Sequence, residues 1–308
     1  MRSDMKVFVA GGTGAVGRYA VAALVDSGHE VTALARTPEK AALLAGRGAS
    51  PRQVSLFDRA GLTAALNGHD AVVNLATALP ATAGYLSDKA WARNEYVRVE
   101  GSAALRDAAL GAGVGRFVQE SVAMLYHDHG AEWVDEQAPA ERYPRALCNL
   151  AAEDNAYALT TAGHTGIVLR FGVFCGVGAS HSELMLTAAR RHIATVLGPP
   201  DGYLPSIHLA DAASAVVAAL TAPPGRYNIV DDEPLTKRDY AAAAAAAVHT
   251  RPWLWLPGRA ALLGGYRLSS LTRSLRVSNK LFRDTTGWSP RYPSARAAWR
   301  AMAGEQAS

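Results

Sequence analysis

Four glycines within seven residues, Gly11, Gly12, Gly14 and Gly17, constrain this chain more than any other feature. They sit inside KVFVAGGTGAVGRYAVAALVDSGHEV, residues 6–31. The run Val7-Phe8-Val9-Ala10 is apolar and bounded by glycine, the pattern of a strand buried on both faces. Val16, Ala20, Ala23 and Leu24 follow at helical spacing, and Ser27-Gly28 ends the helix. Val31–Ala35 reads as a second strand. Gly11 permits the tight turn, Gly14 removes a side chain that would hold a phosphate off the backbone, and Gly17 lets the helix lie close on the strand. The free N–H groups and positive end of that helix then suit a pyrophosphate. The stretch predicts a dinucleotide-binding unit with Gly11, Thr13, Gly14, Ala15, Val16 and Gly17 along the cofactor. A turn that merely connected two elements would leave the glycines unexplained.

The 308 residues suffice for one large α/β domain or a domain plus a lobe. The net charge of +4 is dispersed, with no basic run interleaved with aromatics, which argues against nucleic-acid binding. Cys148 and Cys175 are the only cysteines, as expected of a reduced cytoplasmic protein without a disulfide framework or zinc site. The first strand begins within a few residues of the N-terminus, leaving no room for a signal peptide, and no apolar stretch is long enough to span a membrane. Ala241–Ala247 reads as a packed surface helix. Abundant alanine and an excess of arginine over lysine suggest a GC-rich bacterial genome.

Beyond the second strand stands Arg36, with Lys40 a turn later and Arg18 just after the glycine turn. An acidic residue at that strand end would bind the ribose hydroxyls of NAD, whereas an arginine favours a 2′-phosphate, so NADP(H) is preferred and NAD(H) remains possible. Gln53–Phe57 reads as a third strand ending at Asp58, which suits either an adenine contact or the cap of the next helix. A fourth strand, Ala71–Ala76, should bring Leu75 and Ala76 to the cofactor groove, and the small-residue loop Pro80–Ser87 is placed to cover the site. A long helix spans Lys89 to Gly111, followed by the strand Arg116–Ser121. Ligands of doubly wound sheets bind beyond the carboxyl ends of the strands, which makes Ser121 a candidate. Tyr126, His127, Asp128 and His129 follow it. The His-Asp-His spacing does not suit a helix face and no third ligand stands nearby, so no metal site is expected. No Gly-x-Ser-x-Gly elbow is present, which sets aside a serine hydrolase.

GGTGAVGR, the strand into Ser121, LRFGVFCGVG, IHLADAASAVVAAL, YNIVDDEPLT and SNKLFRDTTGWSPRYP occur in an order that resembles the extended or atypical short-chain dehydrogenase/reductases, the NAD-dependent epimerase/dehydratase group. The resemblance implies a Rossmann-type doubly wound parallel sheet over residues 1–175, with a returning strand near 226–230, and a smaller, mostly helical substrate lobe over 176–308. It assigns Gly11, Gly14 and Gly17 to the cofactor, Arg36 to cofactor discrimination, Asp58 to adenine and Ser121 to the catalytic serine. His208 and Asp211 match a stretch that is largely structural.

One departure matters more than these matches. In the family a catalytic tyrosine is followed four residues later by a lysine that lowers its pKa. Tyr143 is the best match, but Leu147 stands four residues on and Pro144 follows directly. No other Tyr-x-x-x-Lys occurs in the chain. Arg98 stands where the family's helix often carries an asparagine; it could bind a substrate oxygen or pair with Glu120. The candidate proton donors are therefore Tyr126 and Tyr143, with Ser121 orienting the substrate. The expected activity is NADP(H)-dependent oxidation or reduction of a small, hydrophobic metabolite at a carbonyl or activated double bond. A redox-neutral epimerase, cyclase or dehydratase and a non-catalytic NADP-binding regulator are the alternatives. A homodimer is left open.

Overall fold

β1 (Lys6–Ala10) is fully buried over its last four residues, and its alternating side chains feed two different layers. Val7 and Val9 pack with α1 (Gly17–Asp26) and α8 (Leu209–Ala219). Phe8 and Ala10 pack with α3 (Arg59–Leu66), α5 (Ser102–Gly111) and α6 (Pro144–Thr161). A strand covered on both faces needs an apolar run without alternation, which is what the sequence carries. The remaining strands are β2 (Glu30–Ala35), β3 (Ser50–Gln53), β4 (Ala71–Asn74), β5 (Arg116–Val122), β6 (Thr165–Phe171) and β7 (Gly225–Ile229). All pairs are parallel, in the order β7-β6-β5-β4-β1-β2-β3. This is a Rossmann-type α/β sheet, seen in a computed structural model that describes residues 4–306. Residues 1–3 and 307–308, at the outer ends of the two expected domains, lie outside the described residues.

Two elements differ from expectation. β3 covers Ser50–Gln53, not Gln53–Phe57. It is an edge strand with every residue exposed, so it carries no apolar signature. Leu56 instead leaves the strand and packs against the helix layer at Gly101. Asp58 then caps α3, its carboxylate accepting the Gly61 N–H at 3.0 Å. The expected single helix from Lys89 to Gly111 runs as α4 (Asp88–Tyr96), one wide π-turn at Val97–Gly101 and α5. Such turns re-aim side chains within a helix, and this one carries Arg98.

After β6 the chain makes a lobe and then returns to the sheet. The return includes α8 as well as β7, since Ala212, Ala215 and Val216 lie in the same core as α1. His208 caps α8, accepting the Ala210 N–H at 3.2 Å, while Asp211 accepts the Arg291 and Tyr292 N–H groups at 2.7 and 3.0 Å. The tail is thereby tied to the sheet. The lobe itself is α7 (Ser180–Arg190), α9 (Lys237–Ala247) and α12 (Ala295–Glu305), packed around Tyr240, Trp299 and Met302. The alanine run lies in α9, where Ala241, Ala243, Ala244 and Ala245 are buried. α2 (Pro38–Ala45), α10 (Tyr266–Thr272) and α11 (Lys280–Thr286) complete the helices used below.

Candidate active site

The chain leaves β1 toward β2 on one side and reaches β4 on the other, so the crevice opens where β1 and β4 diverge. The turn after β1 forms its floor. Gly11 has φ +84°, and a Cβ there would sit 2.4 Å from the Leu75 carbonyl. A Cβ on Gly17 would sit 2.0 Å from the Gly11 carbonyl oxygen. Both positions therefore require glycine for reasons of backbone approach. Gly14 is exposed, with Thr13 and Ala15 half-buried beside it. α1 begins without a side-chain cap or an acidic residue in its first turn, which leaves its positive end free for an anion. The residues present thus fit a dinucleotide pyrophosphate. Leu75 and Ala76 form the opposite wall, fixed by an Asn74 bond to the Ala76 N–H at 3.2 Å and an Asn94 bond to the Ala78 N–H at 3.1 Å.

Arg36 is exposed immediately past β2, and Lys40 lies on α2. Arg18 points elsewhere: it donates to the Val177 carbonyl at 2.5 Å and crowds Gly178. It is therefore committed to the loop after β6 and is not grouped with Arg36. The cap role of Asp58 is realised, and its carboxylate remains exposed.

The end of β5 corrects two expectations. Ser121 is completely buried, and its hydroxyl donates to Glu153 Oε1 at 2.6 Å. Glu153 is held bidentately by Arg170 at 2.7 and 2.7 Å, so this serine is part of an internal charge network under α6, not a group facing the crevice. Strand alternation explains the result, because Phe117, Gln119 and Ser121 share the face covered by α6. Tyr126 is also completely buried: its hydroxyl donates to Asn228 Oδ1 at 2.8 Å and Arg170 lies 4.8 Å from its ring centre. Burial raises its pKa, so it stays a neutral core phenol. Arg98 takes the structural option, pairing with Glu120 at 2.7 Å with both groups buried. His127 lies 3.7 Å from Glu141 near the surface, and among the described residues no three His, Cys, Asp or Glu side chains are grouped to hold a metal.

Tyr143 lies at the turn that leaves β5. It stands just before α6 as the helix cap, 8% exposed, and its hydroxyl reaches the Met124 carbonyl at 3.4 Å. Met124 lies in the turn that leaves β5, so the phenol is at the carboxyl end of the sheet. Burial pushes the phenol up to about 12, partly opposed by the Arg273 cation. Leu147, four residues on, is 45% exposed and offers no charge. The surroundings are aromatic and cationic. Tyr85 and Ser270 lie beside Tyr143, and the Arg273 guanidinium is 4.5 Å from its ring centre. Behind them Arg145 stacks on Trp91 and Tyr85 at 4.6 and 5.4 Å. Arg145 also donates to the Arg267 carbonyl at 2.7 Å and to Asp88 at 3.3 Å, which clamps α10 against α4. A cavity of about 220 Å³ opens beside this cluster, lined by Asp88, Trp91, Glu95, Pro144, Arg145, Cys148 and Tyr266.

Sequence reasoning missed Ser270, Arg273, Tyr85 and Trp91. Only Tyr85 carried a signal, its place in the loop expected to cover the site. The others arrive through tertiary contacts, such as Arg273 to Met124 across 149 residues.

Comparison with known proteins identifies the family and agrees with the fold. A family model described as "NAD dependent epimerase/dehydratase family" matches residues 7–230. A 3-diazoavenalumate denitrifying reductase from Streptomyces sp. is 32% identical over 96% of this chain and 98% of that protein. The human epimerase family protein SDR39U1, solved with NADPH, superposes with a TM-score of 0.80 at 25% identity, covering 97% of this chain and 99% of that one. A UDP-glucose 4-epimerase from Thermus thermophilus, solved with NAD, has a TM-score of 0.78 at 21% identity over 97% and 98% of the two chains, a likeness of fold.

Proposed function

The chain belongs to the NAD-dependent epimerase/dehydratase family, and from that premise we propose that it is an NADP(H)-dependent reductase of a small, hydrophobic aromatic metabolite. The observation that carries the reading is the buried phenol of Tyr143, held at the Met124 carbonyl where β5 ends, raised in pKa by burial and without the family's lysine four residues on. Oxidising an alcohol, the first step of a redox-neutral sugar epimerisation, needs a base. A phenol this weakly acidic is a poor base precursor but stays protonated throughout the neutral range. It suits a reaction that ends by receiving a proton. Bound NADPH would supply the hydride.

The chain's own residues do the rest. The glycine turn and the N-terminus of α1 would hold the pyrophosphate, and Arg36 would meet a 2′-phosphate. Tyr143 would donate its proton to the substrate atom that becomes basic on reduction. Tyr85 lies beside Tyr143 and packs edge-on against Trp91, which gives the site an aromatic wall. The target group is a carbonyl, an activated double bond or, as the name of the Streptomyces relative suggests, a diazo group, whose two nitrogens would leave as N2 when hydride takes their place.

The test is to mix purified protein and NADPH with aromatic aldehydes, conjugated aromatic acids and aromatic diazo acids. Net NADPH consumption with a reduced product is expected. A rearranged product without NADPH loss would select the redox-neutral alternative. The exposed apolar stretch around Trp253, 74% exposed, and Leu263, 90% exposed, favours a partner-binding regulator as a second reading. That reading predicts tight NADPH binding and no turnover with any compound.

A further inference from the structure

We infer that Arg273 is the positioning residue for Tyr143, supplying from the C-terminal lobe the positive charge that the family's lysine would supply from the same helix. The inference rests on the reading of Tyr143 as the proton donor.

Arg273 directly follows α10 and is 7% exposed. Its guanidinium lies over the Tyr143 ring at 4.5 Å. One of its nitrogens donates to the Met124 carbonyl at 3.2 Å, the same oxygen that accepts the Tyr143 hydroxyl at 3.4 Å. The cation thus lies over the ring and shares the acceptor of the phenol hydroxyl. The same nitrogen reaches the Tyr126 carbonyl at 3.2 Å, and the other terminal nitrogen meets Glu141 at 2.5 Å. Glu141 is itself fixed, its N–H donating to the Leu125 carbonyl at 2.8 Å. The guanidinium is therefore locked to the turn that leaves β5.

This arrangement suits a donor that must become negative. When Tyr143 gives up its proton, charge spreads over oxygen and ring, and a cation held over that ring is attracted more strongly to the anion than to the neutral phenol. Arginine is charged at any working pH, and its planar guanidinium can lie over an aromatic face while its nitrogens bind elsewhere. The substitution also has a cost. With its nitrogens committed to Glu141 and two carbonyls, Arg273 supports the tyrosine without taking over a lysine's contact to the nicotinamide ribose. The groups facing the phenol are Arg273 after α10, Ser270 on α10, Tyr85 before α4 and Glu141 before α6. Arg273 and Glu141 are the charged ones, and they act in opposite directions on it.

That opposition gives a test a merely structural role would fail. Difluorotyrosine is placed at position 143, and its phenol is titrated by fluorine NMR in otherwise wild-type protein and in Arg273→Gln, Arg273→Lys and Glu141→Gln. Arg273→Gln should raise the midpoint by about one pH unit, a tenfold weaker acid. Arg273→Lys should restore most of it, and Glu141→Gln should move the midpoint down. Equal midpoints in wild type and Arg273→Gln would overturn the inference, as would shifts of the same sign in Arg273→Gln and Glu141→Gln. If Arg273→Gln does not fold, the Glu141→Gln and Arg273→Lys titrations decide: an unmoved midpoint in Glu141→Gln, or a large rise in Arg273→Lys, overturns it. The titration needs neither cofactor nor substrate, so a negative result leaves the reductase reading to stand or fall by its own assay.

Discussion

The glycine turn draws its determinants from residues 6–35 and from one wall at Leu75, whereas the Tyr143 site gathers Tyr85, Met124, Glu141, Ser270 and Arg273 from separate segments of the chain. At the first, backbone does the work: an added Cβ on Gly17 would meet the Gly11 carbonyl at 2.0 Å. At the second, side chains do, and the polar contacts span up to 149 residues. A backbone site tolerates little change in sequence. A side-chain site can lose a lysine and recover its charge from another part of the chain. The same scaffold can thus keep its cofactor geometry while its proton chemistry is rebuilt.

The comparison is broken most sharply at the proton donor. Tyr143→Phe should lower turnover by about 10²–10⁴-fold, the usual worth of a positioned acid, with NADPH affinity unchanged by calorimetry. An equal loss of affinity would mean that the two ends are not separable. Next comes the internal network. Glu153→Ala leaves Arg170 buried without its carboxylate, and should cost about 3–5 kcal/mol in denaturant unfolding. Arg36→Ala should weaken NADPH by about tenfold and leave NADH unchanged, the worth of one charge-assisted contact to a 2′-phosphate. The smallest effect is expected at Ser121. Ser121→Ala removes one hydrogen bond to Glu153 and should cost about 1–2 kcal/mol of stability, with turnover per folded molecule retained. A collapse of turnover in well-folded Ser121→Ala would return that serine to the reaction.

What could be read from the sequence follows the same division. The succession of buried strands and the glycine turn are set by local patterns legible in a dozen residues at a time, whereas Asp58 reads equally as an adenine contact or a cap and His208 only as part of a structural stretch. β3 was not legible, because an edge strand with exposed residues has no apolar alternation, while the apolar Leu56 beside it serves the helix layer. Ser121 sits at the expected strand end, yet its side chain faces α6. A strand's end can be placed from sequence more easily than the face its side chain takes. Tyr126 shows the same limit: its partner Asn228 lies on β7, 102 residues away, and nothing near Tyr126 announces it. Arg273 had no motif to carry it. Its role exists only once α10 is laid against the turn after β5.

The most direct measurement of the central claim is the fate of the hydride. The protein would be incubated with NADPH deuterated at the transferable position and with the aromatic aldehydes, conjugated acids and diazo acids proposed above. The account predicts deuterium in the product, one NADPH consumed for each molecule formed, and a rate flat with respect to Tyr143 ionisation through the neutral range, because its phenol loses its proton only as pH approaches about 12. A product formed with the deuterated cofactor recovered intact, or NADPH bound tightly and consumed by none of these compounds, would contradict it.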